Sequence, residues 1–142
     1  MGTGLPKISV LTRCFAKGID LFVMLLLGVA LPHPAGLFLG LIYTLVHDGL
    51  PQLQGRSLGK RVFGLKVVSV RTGESCSIRE SALRNAPLGV AVFFGLIPFW
   101  GWVILVLLGI PLVLLEIYLM RKLENGSRLG DVMADTHVVE YK

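Results

Sequence analysis

Charge is scarce in this chain and acid is scarcer than base: of 142 residues 16% are charged, nine Asp or Glu against fourteen Lys or Arg, while 54% are hydrophobic. A soluble domain carries about a quarter charged residues, so this balance excludes an ordinary water-soluble fold and implies a bilayer as solvent. Cysteine is limited to Cys14 and Cys76. There is no Cys-x-x-Cys pair and no Cys/His ligand spacing, so the sequence offers no zinc motif and assigns no metal. Both cysteines fall in segments expected at the cytoplasmic surface, where thiols stay reduced. No Gly-x-Ser-x-Gly or zincin pattern occurs, so an enzyme is not expected. Nor is a cofactor or a nucleic-acid partner.

What is present is a set of apolar tracts. Residues 13–31 are apolar except at Lys17 and Asp20 and, as a helix, reach roughly 28 Å, about one hydrocarbon thickness. Lys7, Arg13 and Lys17 before an apolar run suggest a signal peptide, but Asp20 interrupts the run and no small-x-small cleavage site follows, so the segment is expected to be retained. Pro32-His33-Pro34 breaks the helix. A second span is expected over 35–48, ending in His47-Asp48-Gly49. A third runs over 82–97 and a fourth over 102–120, separated by Pro98-Phe99-Trp100-Gly101-Trp102, a breaker with tryptophans suited to an interface. Pro111 marks an expected kink in the fourth.

The loop between the second and third spans, 49–81, and the tail, 121–142, are basic. Both short turns lack Lys and Arg, which puts the termini and the middle loop on the cytoplasmic side. Within the loop, the β-branched run 65–70 ends at the turn Arg71-Thr72-Gly73-Glu74 and reads as a strand. It is expected to pair with 136–140. Ser77-Ile78-Arg79-Glu80 fits a capping box. The fold class is thus an all-α membrane protein, one domain over 1–142, with four transmembrane helices and a small cytoplasmic β element. No internal repeat is convincing; the two helical hairpins are at most loosely similar halves.

The candidate site residues are the charges that enter the apolar tracts. An ionised carboxylate in hydrocarbon is costly unless paired, hydrated or protonated. Asp20 follows Arg13 and Lys17 at helical spacing, so Lys17 is the expected partner and Arg13 the marker of the interface. Glu116 lies five residues before Arg121, roughly 7.5 Å along the axis, at the depth inferred for Asp20. Two carboxylates at one depth can share a proton or a monovalent cation. Asp48 is a third such candidate. His47 reads as a solvated helix end, since adjacent helical residues point apart. Gly55-Arg56-Ser57-Leu58-Gly59-Lys60-Arg61 misses a phosphate loop by one residue between its glycines and by Arg61 after the lysine. Arg56, Lys60 and Arg61 instead suit the phosphates of anionic lipids.

Three stretches carry a family resemblance: Arg13-Cys14-Phe15-Ala16-Lys17-Gly18-Ile19-Asp20; residues 55–68 with Ala82-Leu83-Arg84-Asn85; and Arg128-Leu129-Gly130-Asp131 through Val139. They resemble the RDD family of bacterial integral membrane proteins, named for one arginine and two aspartates. The resemblance makes Arg13, Asp20 and Asp131 the signature residues. Asp135 departs from it, standing where many relatives carry glycine. Some members look like sodium/proton antiporters, which implies a small cation or proton transporter, an expected homo-oligomer in the bacterial inner membrane, with Asp131 and Arg61 tying the cytoplasmic segments to the bundle. The alternative is a non-catalytic scaffold or accessory subunit whose basic face binds lipid or a protein partner.

Overall fold

The computed structural model describes residues 8–123 and 126–141. Lys7, the Glu124-Asn125 step and Lys142, which entered the charge reading above, lie outside them. The helices are α1 (Val10–Ala30), α2 (Ala35–Val46), α3 (Leu58–Val62), α4 (Ile78–Phe94), α5 (Gly101–Lys122) and α6 (Leu129–Met133). Strands β1 (Leu65–Ser69) and β2 (Thr136–Glu140) form one antiparallel pair, with Val67 opposite Val138. The strand expected over 65–70 and its pairing with 136–140 are therefore present, one residue shorter on the first strand. The capping box also forms: Ser77 Oγ accepts from the Glu80 amide at 3.3 Å and Glu80 accepts from the Ser77 amide at 2.8 Å.

Two features depart from the sequence reading. The basic loop and the tail are not simple connections, because each contains a short helix, α3 and α6, that docks on the bundle. Among the described residues one helix, Gly101–Lys122, is long and apolar enough to cross a membrane, and Pro111 lies inside it without ending it. α1 has the length but carries Arg13, Lys17 and Asp20. α2 has 12 residues and α4 has 17, short of the about 20 that a full span takes.

Sidedness is unlike that of a soluble bundle. Phe22, Leu25, Val29, Phe93, Leu107 and Leu114 are exposed, whereas Arg13, Asp20, His47, Asp48, Lys60, Arg84 and Asp131 are buried. Large apolar side chains turned outward around a polar interior suit a hydrocarbon solvent.

The two halves of the chain also repeat each other. Gly55-Arg56-Ser57-Leu58-Gly59 recurs as Gly126-Ser127-Arg128-Leu129-Gly130, each residue 71 positions on, as Gly130 is from Gly59. At that offset Arg13 becomes Arg84, α3 becomes α6 and β1 becomes β2. Gly55 and Gly126 both have positive φ, 77° and 60°, and so do Gly64 and Asp135, 61° and 49°. Val67 faces Val138, its own counterpart, so a pseudo-twofold axis through that pair relates the strands, as a twofold requires. This corrects the expectation that no repeat is convincing. Apart from the doubled Gly-x-x-Leu-Gly, the matching residues are few and scattered along the sequence.

Candidate functional site: a buried charge network at one end of the bundle

α1 turns Arg13, Ala16 and Asp20 inward at intervals of three and four residues. α3 lies across this face, and a Cβ on Gly59 would strike the carbonyl oxygen of Ala16. That close approach brings Ser57 and Gly59 onto Asp20. Ser57 Oγ donates to Asp20 Oδ2 at 2.6 Å and the Gly59 amide donates to Oδ1 at 2.9 Å. In the other half α6 lies as closely on α4, where a Cβ on Gly130 would strike the carbonyl of Arg84.

Asp48, just beyond α2, is fully buried. It is paired with the ammonium of Lys60 and lies 3.6 Å from Arg84 Nε. His47 joins the two carboxylates: its Nε2 is 3.6 Å from Asp20 Oδ2 and 3.6 Å from Asp48 Oδ1. Its Nδ1 faces the carbonyls of Tyr43 at 2.9 Å and Thr44 at 3.0 Å. Carbonyl oxygens only accept, so Nδ1 carries the hydrogen and Nε2 is the free position. That atom and the Tyr43 hydroxyl, whose ring stacks on the imidazole, are buried without a hydrogen-bond partner among the described residues.

Arg84 carries the network onward. Its Nη2 lies 3.0 Å from Asp131 Oδ1, and Asp131 also meets Arg128 Nε at 3.7 Å and Arg13 Nη1 at 3.8 Å. Burial drives the Asp131 carboxyl upward, but the guanidiniums of Arg84 and Arg128 together with the Arg128 amide outweigh it and hold the group below the ordinary aspartate range. Lys60 is pushed down by burial, against the pull of Asp48. Arg128 reaches Glu116 at 3.6 Å, and Lys17 Nζ donates to Asn85 Oδ1 at 3.1 Å.

Several expected pairings are replaced. Lys17 reaches Asn85 rather than Asp20, because α3 already occupies that carboxylate. Arg13 is buried rather than turned out to solvent, donating to the Gly126 carbonyl at 2.6 Å. His47 is 1% exposed instead of solvated, and the chain leaving α2 lets its imidazole and the Asp48 carboxylate converge. Asp20 groups with Asp48, not with Glu116. Arg61 is exposed, and Asp131 takes Arg84, Arg128 and Arg13 in its place. Of the three lipid-phosphate candidates, Lys60 is buried on Asp48 and Arg56 lies 4.4 Å over the Tyr141 ring.

Among the described residues no group of three His, Cys, Asp or Glu is set to hold a metal ion. Burial pushes the Cys76 thiol up to about 12, so it is not a thiolate nucleophile at neutral pH.

A family model described as the RDD family matches residues 8–135. The chain belongs to the RDD family. Comparisons with curated proteins and with solved structures gave no match. RDD membership places the chain among membrane proteins, in accord with its outward apolar surface. The signature residues of the RDD resemblance are central to the network: Arg13 and Asp131 meet each other, and Asp20 holds α3 to α1. Arg84, Arg128, Asn85 and Ser57 figured in the sequence only as parts of motifs. The signal that could have singled them out is the doubled Gly-x-x-Leu-Gly, with an arginine at equivalent places in α1 and α4.

Proposed function

We propose that this RDD-family chain is a small proton-coupled transporter of the bacterial inner membrane, with His47 held between Asp20 and Asp48 as its proton-binding centre. The observation that carries the reading is the free Nε2 of His47 facing two buried carboxylates at 3.6 Å each. A proton on Nε2 makes both contacts attractive; without it a lone pair faces two anions. Asp20 belongs to α1, Asp48 follows α2, and Lys60 of α3 and Arg84 of α4 complete the surroundings. Loading the imidazole therefore changes how α1 and α2 are held against α3 and α4.

In this reading α1, α2, α4 and α5 are four spans. The turns after α1 and α4 face outward, and the basic middle segment, the tail and both termini lie on the cytoplasmic side. Four short helices leave little room for an aqueous path, so the working unit is a homo-oligomer. The test is exchange driven by pH and monovalent-cation gradients in proteoliposomes. His47→Gln and Asp48→Asn should each lower the rate at least about tenfold, a barrier change of about 1.4 kcal/mol, while Glu116→Gln retains it. Flux that survives His47→Gln unchanged would remove His47 from the mechanism.

A second reading has its own support. Asp131 is enclosed by three guanidiniums and Asp20 already accepts two hydrogen bonds, as in a scaffold or accessory subunit whose charges fix its shape. It predicts no flux from any sample, native chain included.

A further inference from the structure

The pseudo-twofold calls for two equivalent helix seams, α2 against α4 and α5 against α1. Only the first is closed. There, Leu45 of α2 sits so tightly on Gly89 of α4 that a Cβ on the glycine would lie 2.6 Å from Leu45 Cδ2. The counterparts 71 positions away from Gly89 and Leu45 are Gly18 and Glu116. A Cβ on Gly18 would meet nothing within 4 Å. Gly18 and Glu116 line a cavity of about 190 Å³ between α1, α4 and α5. A leucine can press its methyls onto a glycine, whereas a carboxylate there would lose its solvation. Glu116 turns to Arg128 instead and keeps 20% of its side chain exposed.

We propose that this open seam is a binding site for one anionic phospholipid, with the headgroup phosphate at its charged end and carbon of the glycerol and acyl region along its wall. The wall is formed by Leu21, Leu88 and Val113, and the charged end by Arg13, Lys17 and Arg128. Three cations there face one carboxylate, Glu116. The wider network does not cancel the excess, since five Lys and Arg (13, 17, 60, 84 and 128) stand against four carboxylates (20, 48, 116 and 131). Among the described residues Arg13 Nε is buried without a hydrogen-bond partner. In the four-span topology the inference rests on, the charged end lies near the cytoplasmic end of α1, at the depth of lipid phosphates. It does not rest on transport. A free phosphate would satisfy the cations and leave the carbon wall unused; an amphiphile uses both.

The test is lipid retention by the purified full-length protein, read by native mass spectrometry after exchange into mixed micelles of phosphatidylglycerol and phosphatidylcholine. The native chain should retain one phosphatidylglycerol in preference to phosphatidylcholine. Lys17→Gln should lower that preference about fivefold, the worth of one basic group at an anionic surface. Gly18→Leu should empty the seam. Arg121→Gln, at the end of α5 and outside the cavity, should change nothing. If Gly18→Leu does not fold, Lys17→Gln decides alone. Equal retention of the two lipids, a preference insensitive to Lys17→Gln, or displacement of the lipid by millimolar inorganic phosphate would overturn the proposal. So would lipid-independent crosslinking of Gly18→Cys to Val113→Cys between two copies, which would assign the seam to a neighbouring helix.

Discussion

The Asp131 side chain is out of contact with solvent, as is that of Arg84 beside it, and at this scale the molecule is decided by which charge meets which. Removing one partner of such a pair leaves a bare charge in a low-dielectric interior, so these residues act as a set. The two glycines that allow the set to close are the most testable. Gly59→Ala places a methyl on the Ala16 carbonyl, 3.1 Å from Asp20 Oδ1, and should cost about 1–3 kcal/mol as a forced overpacking. Gly109→Ala inside α5, where a Cβ meets nothing within 4 Å, should not destabilise and should gain up to about 1 kcal/mol from helix propensity. Thermal unfolding in detergent measures both, and equal midpoints would remove the close approach of α3 from the account. Arg13 and Asp20 stood out because charge in or beside an apolar tract is visible in one dimension, and Asp131 stood out only through the family resemblance. Their partners were not visible. Spacing along one helix suggests neighbours three or four residues away, whereas Asp20 is answered from residues 57–59 and Arg13 from 126–131.

β1 and β2 are the element that ties the two halves together. The inner edge of β1 pairs with β2, and its other edge is occupied too: the Val67 amide donates to Gly55 at 2.8 Å and the Cys76 amide donates to the Val67 carbonyl at 3.1 Å. The Ser69 amide likewise donates to the Glu74 carbonyl at 2.9 Å, so the outer side of β1 is covered at Val67 and Ser69. Because its amide and carbonyl point outward, Val67 faces Val138 as a pair not hydrogen-bonded to each other, with Cα atoms about 4.5 Å apart. That suits a disulfide. In a Cys14→Ser, Cys76→Ser background, Val67→Cys with Val138→Cys should oxidise, with diamide as the oxidant, to a crosslink within one chain, visible as a loss of two hydrogen atoms in intact mass at the monomer position. A crosslinked dimer would mean that β2 is exchanged between copies. This pairing was legible from β-branched runs and turn residues. α3 and α6 were not, since five residues hold little more than one helical turn and show no periodicity.

Across the whole molecule, opposite ends of the bundle carry unlike chemistry. The turn between α4 and α5 presents Phe99 and Trp100, both strongly exposed, while the other end collects the buried charges. The four-span arrangement predicts that Phe99→Cys reacts with a membrane-impermeant maleimide in intact cells, in a chain whose native cysteines are replaced. Arg79→Cys should react only after permeabilisation; labelling of both from one side would invert or break the topology. α2 and α4, with 12 and 17 residues, are shorter than a full span takes; after α4 the apolar run continues through Leu96 and Ile97 beyond the helix end, whereas α2 is bounded by Pro34 and by His47-Asp48. The burial of Arg84 by Asp131 has a consequence in time. Helix α4 leaves the ribosome before residues 128–131, so Arg84 lacks its Asp131 partner until α6 arrives and β2 can find β1. The interior of this protein is therefore sealed only once α6 has been made, and a chain arrested before α6 would leave open the Arg84 that the finished molecule hides.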